Sequence, residues 1–296
     1  MTEHGFSPSH TEVLLRAHRM GVELEAQQPG LADRLYSRWY AGRHTHSALE
    51  AWWPPVAGML RVAQSEKLGW QPAVVVRQAA GGVAVARDNS GRARALLRGG
   101  YAHTNGSDRA GLPLQVGEHV LAVLRSGGVE SEGWWRTWGG GWDPRKAPDD
   151  AIRIYLCPVV PELPALVGCL TATLEQRSEP WLLKAAVQGQ HLGRADAVVL
   201  YLRAKAAFQD IMGCARTRVR AEPGPPLTTP LAPGVAWAED PGDGRSFGES
   251  RCEIVAAALK RTGDGDRDAF LRATHDLFLA EGLDPAAPHL RGRSHG

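Results

Sequence analysis

The spacing of apolar residues changes along the chain, and each change predicts a different kind of element. Over residues 11–27 apolar residues recur at helical spacing, and Pro29 and Gly30 then end the pattern. A second helix is expected from about Ala32 to Tyr40. Beyond Pro72 the pattern shortens to strand-like runs separated by Gly-Gly and Asn-Ser-Gly turns, at 73–77, 83–87, 94–98 and 119–125. These runs predict an antiparallel meander.

The second half of the chain carries strands and helices in blocks. Strands are expected at 152–155, 181–187 and 197–202, and helices at 161–177, 204–216, 251–261 and 267–280. Because no βαβ unit repeats, the sequence favours an α+β fold, with helices packed on an antiparallel or mixed sheet, over a doubly wound sheet. Residues 126–150 are rich in Gly and Trp without a clear period, so a long loop is expected there.

Three parts are expected along the chain. Residues 1–70 form an N-terminal helical part, 71–150 a β-rich part that includes the Gly/Trp loop, and 151–296 a C-terminal α+β part. The proline-rich stretch 223–233 is too short to link domains. The three parts are therefore expected to form one domain or two closely packed lobes.

Composition excludes several classes of protein. Of the 296 residues, 43% are hydrophobic, which is enough for a full core. The formal net charge is only +2, from 34 basic and 32 acidic residues, so no nucleic-acid partner is expected. The polar start and the lack of an apolar run of about 18 residues predict a cytoplasmic protein without a membrane partner.

Metal, nucleotide and disulfide chemistry are not expected either. The sequence contains no Gly-rich phosphate loop, and His44 and His46 lack nearby Cys or carboxylate residues. We therefore expect no metal and no cofactor. No two cysteines form a CxxC pair, so reduced thiols are expected at all four positions, Cys157, Cys169, Cys214 and Cys252.

Four segments of the second half each place a long cation beside an apolar strand. They are Arg153–Tyr155, Trp181–Lys184, Arg194–Tyr201 and Ala238–Arg251. In a strand Arg153 and Tyr155 share one face, and Lys184 must reach solvent or find a partner because burying an unpaired ammonium is costly. Convergence of these cations on one cleft would form an anion site. The alternative is that each cation is a surface charge on an edge strand.

In order and spacing, these segments resemble the actinobacterial branch of the Hop-type A effector family. The most specific part runs through Leu231–Gly234, Ala238–Gly242 and Ser246–Gly248 to Arg251 and Cys252. The resemblance covers roughly residues 150–290 well and the N-terminal half loosely. Two positions depart from the family pattern: Cys157 stands where Asn is frequent, and Ser250 where His is frequent.

The resemblance implies a lyase that eliminates phosphate from phosphoserine or phosphothreonine of a ribosomal precursor peptide and leaves dehydroalanine or dehydrobutyrine. Members of that branch work beside a separate phosphotransferase-like kinase in class V lanthipeptide and thioamitide biosynthesis. The expected partners are therefore the phosphorylated precursor peptide and that kinase. Two alternatives stay open: a non-catalytic scaffold that binds the phosphopeptide or leader for the kinase, and an effector-like protein that acts on host signalling.

Phosphate elimination requires a base at the α-carbon, cations on the leaving phosphate and an acid for the bridging oxygen. Lys184 is the candidate base, because burial and neighbouring positive charge lower the pKa of a lysine. Asp196 is expected to orient Arg194. The candidate phosphate-binding residues are Arg153, Arg194, Arg251 and Tyr155. The remaining catalytic candidates are His103 and His191, for the acid, and Tyr201, as a hydrogen-bond donor or substitute base.

Overall fold

The structure of the protein is a computed structural model. It describes residues 4–24, 28–42, 56–64, 69–78, 83–89, 91, 93–96, 101–104, 113–124, 129–131, 133–139, 142, 148, 150–177, 179–203, 205–263 and 266–292. The chain folds into two compact units, one made of Met1–Ser65 with Gly128–Gly296 and the other of Glu66–Gly127. Each unit contains its own antiparallel sheet.

The described helices and strands follow one another as below. The α-helices are α1 (Pro8–Glu23), α2 (Leu31–Leu35), α3 (Val56–Ala63), α4 (Leu163–Glu175), α5 (Gly189–Leu192), α6 (Phe208–Ala215), α7 (Phe247–Thr262) and α8 (Arg267–Ala280). The strands of the smaller unit are β1 (Gly69–Gln78), β2 (Ala84–Asp88), β3 (Ala93–Leu96), β4 (Tyr101–His103) and β5 (His119–Leu124). Those of the larger unit are β6 (Val129–Ser131), β7 (Trp134–Gly139), β8 (Ile152–Leu156), β9 (Trp181–Ala186), β10 (Val198–Leu202), β11 (Thr229–Ala232) and β12 (Val235–Glu239).

Local sequence signals explain where the main helices begin. Ser7 caps α1 by accepting a hydrogen bond from the backbone N–H of His10. At the start of α7, Ser246 and Glu249 form a reciprocal capping box, in which each side chain bonds the backbone N–H of the other. The predicted α+β fold is confirmed, because antiparallel sheets combine with packed helices.

The larger unit is built on a seven-stranded sheet in the order β11-β12-β8-β10-β9-β7-β6. One of its faces is apolar: Ile154, Leu200 and Leu183 lie opposite one another on β8, β10 and β9, and all three are fully buried. Helices α3, α4 and α6 pack against this face. Burial of this face supplies the larger hydrophobic core of the unit.

The opposite face of the same sheet carries the polar residues of alternate positions. Helices α1, α2, α7 and α8 cover its part near β12, β8 and β10, where Tyr155, Val199 and Ala238 join their core. The part over β9 and β7 carries Lys184 and Arg136, which are only half-buried. We call this the polar face of the main sheet.

The smaller unit is a five-stranded antiparallel sheet in the order β3-β2-β1-β5-β4. Alternate residues of β1 and β2, including Val75 and Ala86, form its buried side together with Leu114 and Val120. The predicted meander holds for β1, β2 and β3, whereas β5, expected to follow β3, pairs with β1 and β4 instead.

The loop expected over residues 126–150 contains two strands instead. β6 and β7 pair with each other, and β7 pairs with β9 along its whole length. The sequence does not reveal β7, because Trp134, Trp135 and Trp138 place apolar side chains on both faces of the strand. Apolar and polar positions therefore do not alternate as they do in a half-buried strand. Among the described residues no helix is both long and apolar enough to cross a membrane.

The expectation of four reduced thiols is wrong for two of them. Cys169 on α4 and Cys214 on α6 form a disulfide, with their Cα atoms 5.6 Å apart, whereas Cys157 and Cys252 are free and buried. The two half-cystines are separated by 45 residues in the sequence. They meet only because α4 and α6 pack side by side on the apolar face, which cysteine spacing alone does not reveal.

Removing this disulfide is expected to lower the stability of the protein measurably. Cross-linking a chain segment of this length restricts the unfolded state by about 4 kcal/mol in the loop-entropy model. The free energy of unfolding of Cys169→Ala/Cys214→Ala, measured in urea, should fall by up to that amount, while Cys252→Ala serves as the single-cysteine control. Alkylation of all four thiols in the denatured, unreduced wild type would contradict the assignment.

Candidate active site

Strand register brings the polar residues of four strands together on the polar face. Tyr155 lies opposite Val199, Val199 opposite Lys184, and Lys184 opposite Arg136. In the adjacent row Arg153 lies opposite Tyr201. Residues two apart on a strand point to the same side, so both rows share one face. Arg153, Tyr155, Lys184 and Tyr201 therefore lie on one surface of the sheet.

Lys184 occupies an unusual position for a lysine. Its Nζ lies 4.1 Å from the centroid of the Trp134 ring, and no carboxylate among the described residues lies within 4.0 Å of it. Burial lowers the pKa of Lys184 to about 8; the positive charges of Arg136, Arg194 and Arg153 act in the same direction, and Asp196 opposes them. At neutral pH roughly a tenth of this amine is therefore neutral and can accept a proton, far more than for an ordinary lysine.

Arg194 is fixed in place by a bidentate ion pair. Its Nε and Nη2 each donate to one carboxylate oxygen of Asp196 at 2.7 Å, and Nη2 also donates to the hydroxyl of Tyr36 at 3.1 Å. Asp196 is buried and Arg194 is largely so. Because this pairing fixes the guanidinium plane, Asp196 orients Arg194 in the structure, as the sequence predicts.

The indole of Trp134 is the common neighbour of three candidate residues. The guanidinium carbon of Arg194 lies 5.4 Å from its ring centroid, and the His191 ring stacks on it at 6.1 Å with an interplanar angle of 20°. Lys184 contacts the same ring. The structure thus gathers a lysine, an arginine and a histidine around one aromatic side chain, and we call these four residues the Trp134 group.

Tyr36 is a member of the site that the sequence analysis missed. It lies in a π-helical turn, Tyr36–Tyr40, and its hydroxyl donates to Asp196 at 3.2 Å. A Cβ atom at Gly248 of α7 would lie 2.6 Å from the Tyr36 ring, so glycine is needed there for the close approach of helix and ring. Irregular π turns are frequent at functional sites, but the apolar spacing of residues 32–40 indicates only a helix.

The guanidinium of Arg153 is buried and donates to acceptors of the protein itself, which a phosphate clamp does not require. Its Nε donates to Asp240 at 2.7 Å, its Nη2 donates to the carbonyl of Arg245 at 3.0 Å, and the guanidinium carbon lies 5.0 Å from the Tyr201 ring centroid. Only 6% of the residue is exposed. Arg153 therefore holds the loop after β12 against the sheet and positions Tyr201.

Tyr155 is buried to 2% exposure, and burial raises the pKa of its phenol above the ordinary value. It belongs to the core formed by α1, α2, α7 and α8. We assign it a packing role beneath the site rather than a contact with phosphate.

Arg251 lies apart from the Trp134 group. This residue of α7 is 1% exposed, and its Nε and Nη2 donate to the carbonyls of Pro288 and Leu290, each at 3.0 Å. Its guanidinium packs on the rings of Phe247 and Phe278. The geometry does not favour the expectation that Arg251 clamps phosphate together with Arg194, because its Nε and Nη2 already donate to the carbonyls of Pro288 and Leu290.

The remaining candidates lie elsewhere. His103 belongs to the smaller unit, on β4, where its Nδ1 lies 2.6 Å from Glu118. His44 and His46 lie outside the described residues. Within the part of the chain that the structure describes, no group of three His, Cys, Asp or Glu side chains could hold a metal ion. His191 is thus the candidate histidine that shares the Trp134 ring with Lys184.

An aromatic cluster lies next to the site on the polar face. Trp138 and Trp142 are buried together with Ala151, and Leu182 and Tyr201 pack against them. The Trp142 and Tyr201 rings lie 6.1 Å apart. The cluster is part of the packing that supports Tyr201.

Comparison with known proteins indicates the lineage of this chain. Residues 138–290 match the HopA1 effector protein family. Two solved structures share the fold: the effector protein from Pseudomonas syringae pv. tomato strain DC3000, at 15% identity and a TM-score of 0.52, and that from Pseudomonas syringae pv. syringae strain 61, at 13% and 0.55. The alignments cover 96% and 97% of this chain and 100% of each effector. No curated protein matches the sequence significantly.

Proposed function

Because the chain belongs to the HopA1 effector protein family, we propose that it is a lyase that eliminates phosphate from phosphothreonine or phosphoserine in a peptide. Two lines of support are independent of each other. One is the resemblance of its second half to the actinobacterial branch, for which that reaction is implied. The other is the chemistry of the Trp134 group. The matched residues include Lys184, Arg194 and His191, although a family match alone does not assign a reaction.

The observation that carries the proposal is the environment of Lys184. A structural lysine in a sheet pairs with a carboxylate or reaches solvent, whereas Lys184 is half-buried against an indole and surrounded mainly by positive charge. Such an environment costs stability, and it is the arrangement that turns a lysine into a base near neutral pH. The same positive charge attracts a phosphate group.

In the proposed reaction the neutral Lys184 amine removes the α-proton of the phosphorylated residue. The Cα–H electron pair becomes the second bond between Cα and Cβ, and the Cβ–O bond breaks so that phosphate leaves with its electron pair. Lys184 ends as an ammonium, and the peptide ends with a dehydroamino acid. No redox step or metal is needed to balance the reaction.

The other residues of the site divide the remaining tasks. Arg194, held by Asp196 and Tyr36, presents a fixed guanidinium to the phosphate, and Arg136 adds positive charge from the adjacent strand. His191 donates a hydrogen bond to the bridging oxygen as it leaves. Charge that is fixed in advance stabilises the departing phosphate better than mobile charge in water.

Partners follow from the reaction. A phosphorylated peptide must be supplied by a kinase. We therefore propose a separate phosphotransferase-like kinase as the functional partner and a cytoplasmic ribosomal precursor peptide as the substrate.

A non-catalytic scaffold is the second candidate, and the departures at Cys157 and Ser250 favour it. The Cys157 thiol donates to the carbonyl of Ala195 at 3.2 Å, and burial raises its pKa to about 12, so it stays protonated and takes no part in acid–base chemistry. A scaffold would bind the phosphopeptide and leave it unchanged.

A synthetic phosphothreonine peptide separates the candidates. The purified chain, without kinase or ATP, should remove phosphoric acid from the peptide, whereas a phosphatase would leave threonine and a scaffold would leave the phosphopeptide intact. Mass spectrometry distinguishes these three products. The matching threonine peptide is the control and should remain unchanged, because hydroxide is a poor leaving group.

The rate of elimination should depend on pH through Lys184. The base must be neutral, so kcat/KM should rise about tenfold per pH unit and level off near pH 8, where the lowered pKa lies. An unshifted lysine would delay the plateau to about pH 10.4. The second ionisation of the phosphate group occurs near pH 6, far enough from pH 8 to be distinguished from the ionisation of Lys184. Initial rates measured across this range test the assignment, and a profile that is flat between about pH 7 and 8 contradicts it.

A further inference from the structure

A second cluster of arginines lies outside the Trp134 group, around a cavity of about 300 Å³ at the start of α7. Its walls come from the loop after β12, the first turns of α7 and the residues that follow α8. The charged and polar lining residues are Asp243, Arg245, Ser250, Arg251, Glu281 and Arg291. All belong to the larger unit. We call this cavity the α7 pocket.

The charges around the α7 pocket are unevenly placed. Arg245 pairs with two carboxylates, those of Asp243, at 2.6 Å, and Glu253. Among the described residues neither Arg251 nor Arg291 has a carboxylate within 4.0 Å of its guanidinium. The remaining carboxylate of the lining, Glu281, is exposed to solvent.

The pocket also contains a buried hydrogen-bond donor that has no acceptor. Arg291 donates through Nε to the carbonyl of Asp240, but its Nη2 is buried and has no hydrogen-bond partner. Arg251 uses one N–H of Nη1 on the Ser250 hydroxyl, which accepts that bond. A buried donor without a partner destabilises the fold, and a charged donor does so more strongly.

Burial of a cation without a counter-charge is visible in Arg251 as well. Burial lowers the pKa of its guanidinium to about 10, which indicates that the chain supplies too little negative charge around it. An arginine held this deeply is stable when an anion completes its surroundings. The arrangement resembles the sites in which planar guanidinium groups bind an oxyanion through paired N–H groups.

We propose that the α7 pocket binds a small oxyanion, a phosphate or carboxylate group, through Arg291, Arg251 and the hydroxyl of Ser250. This inference is independent of the proposed lyase reaction, because it concerns binding in a cavity whose lining includes no member of the Trp134 group. The loop after β12 connects the pocket with the main sheet, where Arg153 bonds Asp240 and the carbonyl of Arg245.

Inorganic phosphate is the first probe. The wild type should bind it in the pocket, as measured by calorimetry and by broadening of the phosphorus resonance, and Arg291→Gln should weaken this binding about tenfold or more. Ser250→Ala removes a smaller contact and should weaken it less. Arg272→Ala, which removes an exposed positive charge from α8, is the matched control and should bind as the wild type does.

The Trp134 group is a second candidate phosphate site, so the same titration is made with Arg194→Ala. Binding that survives Arg194→Ala and is lost in Arg291→Gln supports the pocket, whether or not the protein eliminates phosphate from a peptide. Binding that disappears in Arg194→Ala and is unchanged in both Arg291→Gln and Ser250→Ala overturns it. Because two variants alter different walls, a folding defect in one leaves the other decisive.

The natural source of the oxyanion is resolved by two peptides. A phosphothreonine peptide and the same peptide with glutamate in place of phosphothreonine are titrated into Lys184→Ala, in which no substrate is consumed. Preference for the glutamate peptide that Arg291→Gln removes indicates a carboxylate, and preference for the phosphopeptide indicates a phosphate. The proposal is contradicted if proteins with Arg291 and proteins with Arg291→Gln bind both peptides and inorganic phosphate with equal affinity.

Discussion

Lys184→Ala is expected to slow elimination from a phosphothreonine peptide by roughly 10² to 10⁴, the usual loss when a general base is removed. Affinity for the phosphopeptide should change little, because the bidentate pair of Arg194 and Asp196 does not depend on the lysine. Turnover is measured by mass spectrometry and affinity by fluorescence anisotropy. The two effects should therefore separate cleanly in one variant.

The chain offers a matched control for this experiment. Lys205 lies 4.0 Å from the Trp237 ring centroid, and Trp237 is in register with Ile154 on the apolar face of the sheet. Lys205→Ala thus removes a lysine–tryptophan contact of the same kind from the other face, and turnover should stay at the wild-type level. Near wild-type elimination by Lys184→Ala would make the lysine a mere structural cation, with the base to be sought at His191 or Tyr201.

Arg194→Ala should fail in a different way. Removing the guanidinium takes away charge where the leaving phosphate accumulates it, so affinity and turnover should fall together, with a barrier increase of roughly 2 to 4 kcal/mol. Arg194→Lys should recover part of the affinity through its charge but little of the turnover, because a lysine lacks the planar fork. Both constants come from the same steady-state assay.

Loss of Arg194 also leaves the buried carboxylate of Asp196 without its partner, which can destabilise the fold. The double variant Arg194→Ala/Asp196→Asn removes that charge, and its thermal unfolding should lie closer to the wild type. It should remain as slow as Arg194→Ala in turnover. Recovery of activity in the double variant would mean that Arg194 serves only to neutralise Asp196.

Most of the fold follows from the periodicity of the sequence. The long helices α1, α4 and α8 and the strands β8, β9 and β10 lie within a few residues of their predicted positions, because their apolar spacing is regular. The strands β7 and β12 were missed. Each is buried on both faces, with tryptophans and alanines in place of alternating polar residues, and period two is lost in such strands.

Site residues were predictable from the sequence where a single regular strand carries them. They were not predictable where the packing of distant segments brings them together. Lys184 stands out in the sequence because it interrupts an apolar strand. Tyr36 does not, since 158 residues separate it from Arg194 and only the packing of α7 against Tyr36 and Tyr40 brings it there. Trp134 and Arg136 were assigned to a loop, and the register of β7 with β9 is what places them beside the lysine.

Arg251 shows the opposite error. Its place in the most specific part of the family pattern suggested a phosphate clamp of the main site. In the structure its donors hold the carbonyls of Pro288 and Leu290, which follow α8 in the sequence. Which surface a buried arginine faces depends on the packing of distant segments, and the local sequence of α7 carries no information about it.

We propose that this chain, through Lys184, converts a phosphorylated residue into an alkene. Nuclear magnetic resonance observes this directly in one sample of purified protein and phosphothreonine peptide, without kinase or ATP. For the wild type we predict loss of the phosphomonoester signal together with new signals of inorganic phosphate and of an olefinic proton, and for Lys184→Ala an essentially unchanged spectrum. Release of phosphate without an olefinic proton, or an intact phosphopeptide in the wild-type sample, would show that the chain is not such a lyase.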